Sequence, residues 1–377
     1  MDKHYYLDAN AHVPNGSSLS AKSKKTLISM ENSYIAHGHP LSPSKPGKAA
    51  STAIEKARDR IAKCLNVNSH QIYFTRSCTE ANAIVCRCLF ETDSIKQLSW
   101  SPYEHHSMSG PLNNLFSFSN ETIYGELEVD KNGSPIFYPT ILNCVFVGVQ
   151  PEIGLIADFK AIRKYTKGIF VSDLAQAAGK IPLDLPAMGV DVATFGAHKF
   201  GGPIGVGFIY AKNPEFISYD GMYDVSGYAQ DVPGTPNTID IVAASLALQD
   251  SIKVMDIKKE NGLNFRRVLE EGLEQFGCKI ICKDQNRIYN TTFARVPGME
   301  NGILLLKKLT EKNIHIGLGS ACGSFVVQAS TTMQALGAND TNMAYVRISQ
   351  NGDYNEKDAE YILESIYKSL KQLGIHI

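Results

Sequence analysis

Apolar and polar residues recur along this chain in two rhythms, one of about 3.6 residues and one of two, and their order sketches a fold. Over residues 48–65 the apolar positions Ala50, Ile54, Ala57, Ile61 and Leu65 repeat at helical spacing and predict an amphipathic helix with one face in a core. Further helices are predicted over about 17–30, over 158–165, and from Ile239 into the 250s. Between them stand short runs rich in β-branched and aromatic residues, at 71–75, 98–101, 145–149, 169–173, 192–195 and 204–211, which read as strands. The last of these is expected to lie antiparallel at a sheet edge. Residues 38–47 hold too much proline for regular structure. From about Gly262 the pattern changes to a helix (263–276), a strand (291–296), a helix (300–312) and two strands (313–316 and 345–349). A last amphipathic helix follows, capped by Asn355 and anchored by Ile362, Ile366 and Leu370.

Strands and helices that alternate and then give way to a second pattern indicate an α/β chain with two parts, and 377 residues exceed one ordinary core. The expected division is a large domain over 16–255 and a smaller α+β domain built from 1–15 and 256–377. The composition, 44% hydrophobic and 20% charged, is that of a globular protein. A net charge of −1 carries no overall pull towards nucleic acid or anionic membrane, and no direct nucleic-acid binding is expected. The first residues form no apolar signal core and no apolar run approaches a membrane span, which points to the cytoplasm. Eight cysteines are scattered without zinc-ribbon spacing, so no structural metal is expected. Seven of them sit in apolar company and read as small buried hydrophobes of a reducing compartment.

The candidate chemistry gathers where predicted strands run out. The strand at 192–195 ends in Gly196 and Ala197, then presents His198 and Lys199 before Gly201, Gly202 and Pro203. A lysine there is costly to bury without a partner. The strand ending at Asp173 precedes it by 26 residues, with Gln176 just beyond. Two neighbouring parallel strands would carry Asp173 and Lys199 to one carboxyl-end rim, where α/β folds place ligands. A carboxylate for a pyridinium nitrogen and a lysine for a Schiff base form the usual protein side of a pyridoxal phosphate (PLP) site. After the strand at 71–75, the turn at Cys78 and Thr79 opens a helix, and free N–H groups at a helix start suit a phosphate. His105 and His106 follow another strand end, and histidine is a residue type suited to general acid–base work. Cys322 lies in a loop of small residues, where a nucleophilic thiol can be exposed. Arg347 sits inside a strand and calls for a planar anion such as a carboxylate.

Asp173-x-x-Gln176 followed by Ala197-His198-Lys199-x-Gly-Gly-Pro203 resembles the cysteine desulfurases of the class V aminotransferase group, PLP enzymes of fold type I. The resemblance covers nearly the whole chain. It implies a mostly parallel seven-stranded sheet between helices, and cofactor contacts from Lys199, Asp173, Gln176, Cys78, Thr79, His105 and His198. It implies that Thr235 reaches the neighbouring subunit's phosphate in a homodimer. His105, with His106 the weaker candidate, would stack on the pyridine ring and take the substrate thiol proton. Arg347 would bind the carboxylate of L-cysteine, and Cys322 would accept its sulfur as a persulfide, leaving L-alanine, and pass it to an acceptor protein.

The chain departs from the family pattern at several positions. His12 and Val13 replace two threonines, Pro151 replaces an asparagine, Gly196 stands where many relatives carry serine, and Val232 replaces an arginine. These departures leave room for another class V lyase or transaminase, for example one similar to selenocysteine lyases. A third alternative is a non-catalytic scaffold of a sulfur-transfer complex, although such a scaffold would have no need of Asp173, Gln176, Lys199, Cys322 and Arg347 together.

Overall fold

Helix α2 (Lys45–Leu65) shows how sequence becomes structure here. Ser44 accepts a hydrogen bond from Gly47 N at 3.2 Å, Pro46 lies in the first turn, and Asn66 ends the helix in a left-handed conformation at φ 57°. The helix therefore starts three residues before the expected 48. The stripe Ala50, Ile54, Ala57, Ile61 and Leu65 is buried, as its spacing predicts.

The computed structural model describes residues 3–92, 95, 97–116, 123–126, 143–217, 235–300, 302–318, 331–336 and 344–375. Before α2 come β1 (Tyr5–Leu7) and α1 (Ala21–Glu31). After it follow β2 (Ile72–Thr75), α3 (Cys78–Glu91), β3 (Gln97–Trp100), α4 (His106–Phe116), β4 (Ile123–Glu126), β5 (Asn143–Val145) and α5 (Phe159–Tyr165). Next are β6 (Phe170–Asp173), α6 (Leu185–Met188), β7 (Val192–Gly196), β8 (Gly207–Ala211) and α7 (Thr238–Lys253). The chain continues with α8 (Met255–Gln275), β9 (Lys279–Ile280), β10 (Thr291–Val296), α9 (Gly302–Thr310), β11 (Ile314–Ile316), α10 (Thr331–Ala335), β12 (Ala344–Ser349) and α11 (Glu356–Gln372).

Among the described residues seven strands form one sheet in the order β2-β8-β7-β6-β5-β3-β4. All neighbours are parallel except β8, which is antiparallel to both β2 and β7. Successive residues of β8 point to opposite faces. Phe208 and Tyr210 join a core with α2 and α7, whereas Ile209 and Ala211 join one with α3 and α4. The sheet is thus sandwiched between helices, the α/β architecture expected.

Three details differ from the sequence reading. Strand β8 lies one place in from the edge, because β2 pairs along its outer side. The strand expected at 145–149 is regular only over Asn143–Val145, although Phe146 N and Gly148 N still bond to Val171 O and Asp173 O of β6. Helix α8 begins at Met255 rather than 263, since its first two turns bury Lys258 and Gly262 instead of an apolar stripe.

A second core gathers the chain's two ends. Tyr5 and Leu7 of β1 pack with Phe265 and Leu269 of α8, Val346 and Ile348 of β12, and Ile362 and Ile366 of α11. Strand β1 pairs in parallel with β11, and β12-β10-β9 form an antiparallel sheet beside them. Asp8 bridges to Ser349, which leads the N-terminal segment from this second core towards the rim of the large sheet.

Candidate active site

Asp173 is the last residue of β6 and pairs in register with Thr194 of β7. Strand β7 ends two residues later, and a single 3-10 turn over Ala197–Lys199 delivers Lys199 to the same rim. The Lys199 ammonium donates to Asn10 O at 2.7 Å and Ala11 O at 2.8 Å. Burial, and then the nearby charge of Arg347, lower its pKa from 10.5 to about 8.

The Asp173 carboxylate is buried and ordered from two sides. Ala175 N donates to Oδ1 at 2.9 Å and Asn82 Nδ2 to Oδ2 at 3.0 Å. Cys78, the first residue of α3, brings its Sγ to 3.8 Å from Oδ1. Burial, with Asp173 acting in the same direction, pushes the Cys78 thiol well above its usual range, so it behaves as a neutral thiol. Ser77 caps α3 by accepting from Glu80 N at 3.0 Å, and Thr79 lies exposed in the first turn. A helix start with its unpaired N–H groups therefore stands beside a carboxylate and a lysine.

His198 and His12 stack with ring centroids 5.8 Å apart and planes inclined at 21°. Burial, then the charges of Lys199 and His12, lower His198 to about 4. His12 is also lowered, by burial first and Lys199 second, and its Nδ1 is buried without a hydrogen-bond partner among the described residues. A Cβ at Gly196 would come within 3.2 Å of Cys78 Cβ and 3.3 Å of His198 Cε1. The absence of the serine that many relatives carry here thus matches a tight approach of β7 to α3.

His105 is half-buried and His106 exposed at the start of α4. Burial lowers the His105 pKa, although Asp173 pulls the other way.

The second core supplies the opposite wall. Arg347 is buried and its Nη2 pairs with Asp8 Oδ1 at 2.6 Å, while Nη1 reaches Pro151 O at 3.4 Å. Its Nε has no hydrogen-bond partner among the described residues. The anion expected for this arginine is therefore met in part by Asp8, which the sequence reading did not single out. Pro151, where the family carries asparagine, contributes its carbonyl to Arg347 and to Asn10 Nδ2, at 3.0 Å for the latter. Gln176 donates to Asn10 O at 2.7 Å and accepts from the buried Lys180 Nζ at 2.7 Å.

Asn10 is the residue that joins the walls. Its N donates to Ser349 Oγ at 3.0 Å, its Nδ2 also to Thr291 Oγ1 at 2.8 Å, and its carbonyl accepts from Gln176 and Lys199. A polar residue just after a short strand was the only signal in the sequence.

Thr235 is exposed just ahead of α7, with no hydrogen bond to this cluster among the described residues. Cys322 lies outside the described residues, as does Val232. Gly317, five residues before Cys322, exchanges two backbone hydrogen bonds with Arg347. A Cβ there would sit 2.6 Å from Asp8 Oδ1 and 3.0 Å from Arg347 Nη2. Only glycine lets the strand leading towards Cys322 pass so close to this ion pair.

The family model described as aminotransferase class V matches residues 5–361. This chain belongs to the class V aminotransferase family. A relative named cysteine desulfurase IscS, from Vibrio campbellii, is 29% identical over 387 aligned positions, covering 98% of this chain and 93% of the relative. A solved structure titled NifS-like protein superposes with a TM-score of 0.85 at 23% identity, covering 98% of this class V chain and all of that one. The apo structure of a cysteine desulfurase from Thermococcus onnurineus NA1 superposes at a TM-score of 0.82 and 19% identity, covering 98% and 95%. These structures share the fold of this family member. Among the described residues no helix is long and apolar enough to cross a membrane.

Proposed function

We propose that this class V family member is a cysteine desulfurase. It converts L-cysteine to L-alanine, takes the sulfur onto Cys322 as a persulfide and hands it to an acceptor protein. The observation that carries this reading is the meeting of two walls, Asp173 and Lys199 on the sheet rim and Arg347 with Gly317 opposite. Five extended residues span at most about 16–18 Å, so the Cys322 thiol is tethered to that meeting point.

The residues fit PLP. The unpaired turn at Cys78 and Thr79, with His198, suits its phosphate, Asp173 its ring nitrogen and Lys199 its aldehyde, with Gln176 and His105 as further contacts. Bound there, PLP supplies an electron sink for bonds broken at the substrate. Arg347, with Nε unpaired, orients the substrate carboxylate by charge-assisted hydrogen bonds. Lys199, drawn down to about 8, is a competent base for the Cα proton near neutral pH. The Cys322 thiolate attacks the substrate sulfur, forming an S–S bond as the carbon–sulfur bond breaks; one proton taken up at Cβ and the Cα proton returned by Lys199 complete alanine.

We further propose that 16–255 and 1–15 with 256–377 are the two domains, with the site between them. We also propose that the protein is a cytoplasmic homodimer in which Thr235 serves the partner's phosphate site. The free cysteines found among the described residues suit a reducing compartment.

A second reading, a class V lyase that needs no thiol nucleophile, is favoured by Pro151, which offers no side-chain hydrogen bond where the family has an asparagine amide. One experiment separates the two. Protein loaded with PLP and reduced with borohydride should carry the cofactor on Lys199, and Lys199→Ala should lose both label and turnover. Cys322→Ser should keep the cofactor yet lose persulfide and alanine almost completely, since a hydroxyl is a far weaker nucleophile than a thiolate. Alanine release at the wild-type rate from Cys322→Ser would overturn the desulfurase reading in favour of the lyase.

A further inference from the structure

His105 ends a chain of hydrogen bonds that starts at Asp173. Asn82, fully buried on α3, places its side-chain nitrogen 3.0 Å from Asp173 Oδ2 and 2.9 Å from Ser107 Oγ. An ionised carboxylate only accepts, so the carboxylate decides which way the Asn82 amide faces. Its two hydrogens are then both used, one on Asp173 and one on Ser107. The Ser107 Oγ, which accepts from Asn82, lies 2.8 Å from His105 Nδ1, and its hydroxyl hydrogen is free to be donated there. The backbone N–H of Ser107 points at the same ring nitrogen, at 3.2 Å. A ring nitrogen that meets two donors is the one without a proton.

We infer that Asn82 and Ser107 are positioning residues that hold His105 in the neutral tautomer carrying its hydrogen on Nε2. The charged and titratable groups around this ring are Asp173, Lys199, His106 and Glu152, with buried Glu104 beside it in the chain. Burial outweighs their combined effect and keeps the ring neutral, in agreement with the two donors at Nδ1. The consequence rests on the desulfurase reading. An Nε2–H group does not receive the substrate's thiol proton, as the family resemblance implied. It donates a hydrogen bond, which suits a substrate that binds as the thiolate, its proton already lost to solvent from a thiol of pKa about 8.5.

The tautomer is read without any substrate, so its outcome is separate from whether L-cysteine is turned over. PLP-loaded protein with ring-15N histidine is compared with His105→Gln, whose missing signals identify His105 among the ten histidines. Expected for the wild type is a pyridine-like Nδ1 and a pyrrole-like Nε2 at pH 7. Ser107→Ala should give a mixture of tautomers and raise the His105 titration midpoint by about 0.5–1 pH unit, the effect of one lost hydrogen bond to the neutral form. Ser107→Thr, which keeps the hydroxyl, should restore the wild-type spectrum. A wild-type ring protonated on Nδ1 overturns the inference even if Ser107→Ala does not fold. So does a folded Ser107→Ala whose tautomer and midpoint match the wild type.

Discussion

Lys199 ends against two backbone carbonyls, which accept hydrogen bonds but supply no full negative charge. Burial and the charge of Arg347 then favour the uncharged amine. The expected outcome is that PLP adds to Lys199 of cofactor-free protein at a rate, measured by borohydride trapping and peptide mass, that rises about tenfold per pH unit below about 8 and levels off above it. A rate still climbing steeply at pH 10 would show an ordinary surface lysine. The same shift bears on stability. Between pH about 8 and 10.5 the unfolded chain binds a proton here that the folded one does not, so this residue's contribution rises with pH across that window. Lys199, Asp173 and Arg347 were legible in the sequence because a charged residue inside or at the end of an apolar strand is costly and marks itself. Asn10, Asn82 and Ser107 were not, because a neutral polar side chain has no meaning until its partners are known. Two of Asn10's partners, Gln176 and Ser349, lie far along the chain.

Helix α1, whose Leu27 and Met30 pack on the main core, is also anchored by polar contacts at its first turn. Ser20 caps it, and Asp250 of α7 accepts from Ser20 N at 3.0 Å and Ser23 Oγ at 2.6 Å while pairing with Lys253 at 2.9 Å. Burial alone would raise the Asp250 pKa; the bonds from Ser23, Lys253 and Ser20 outweigh it and bring the value down to about 2. A carboxyl lowered on folding stabilises the protein above its unfolded pKa of about 3.9 and loses that contribution as pH falls through the folded value. Asp250→Asn should therefore cost about 2 kcal/mol at pH 6, and the gap to wild type, read from urea midpoints, should close as pH falls from about 4 towards 2. A gap constant with pH would show that packing, not charge, is what the substitution removes. At this scale periodicity was a good guide wherever a stripe is apolar, as in α2 and α11, where Asn355 caps as expected. It was silent where α8 buries Lys258 and Gly262, and it could not order β8 within the sheet, because strand order is set by pairings between distant segments.

In a single chain Thr235 stands exposed, with no hydrogen bond to its own chain's cluster among the described residues. If a second copy supplies that residue, cofactor retention depends on assembly. The protein should sediment as a dimer, and Thr235→Ala should remain a folded dimer but release PLP faster on gel filtration. A monomer that holds PLP as tightly as the assembled protein would refute the shared site. Gly196, packed against Cys78 and His198, makes this dependence stronger, since no serine hydroxyl is present there to compensate.

The pairing of β1 with β11, and the bridge from Asp8 to Ser349, set an order on biosynthesis. Tyr5 leaves the ribosome about 300 residues ahead of Ile314, roughly 15–60 s at ordinary translation speeds. Until then the first strand has no partner and Arg347 does not exist, although Gln176 can already hold the carbonyl of Asn10 beside Lys199. An unfinished chain can assemble much of the seven-stranded sheet while its chemistry stays switched off. Ribosome-arrested chains of increasing length should therefore gain protease protection around Tyr5–Leu7 only after β12 has emerged.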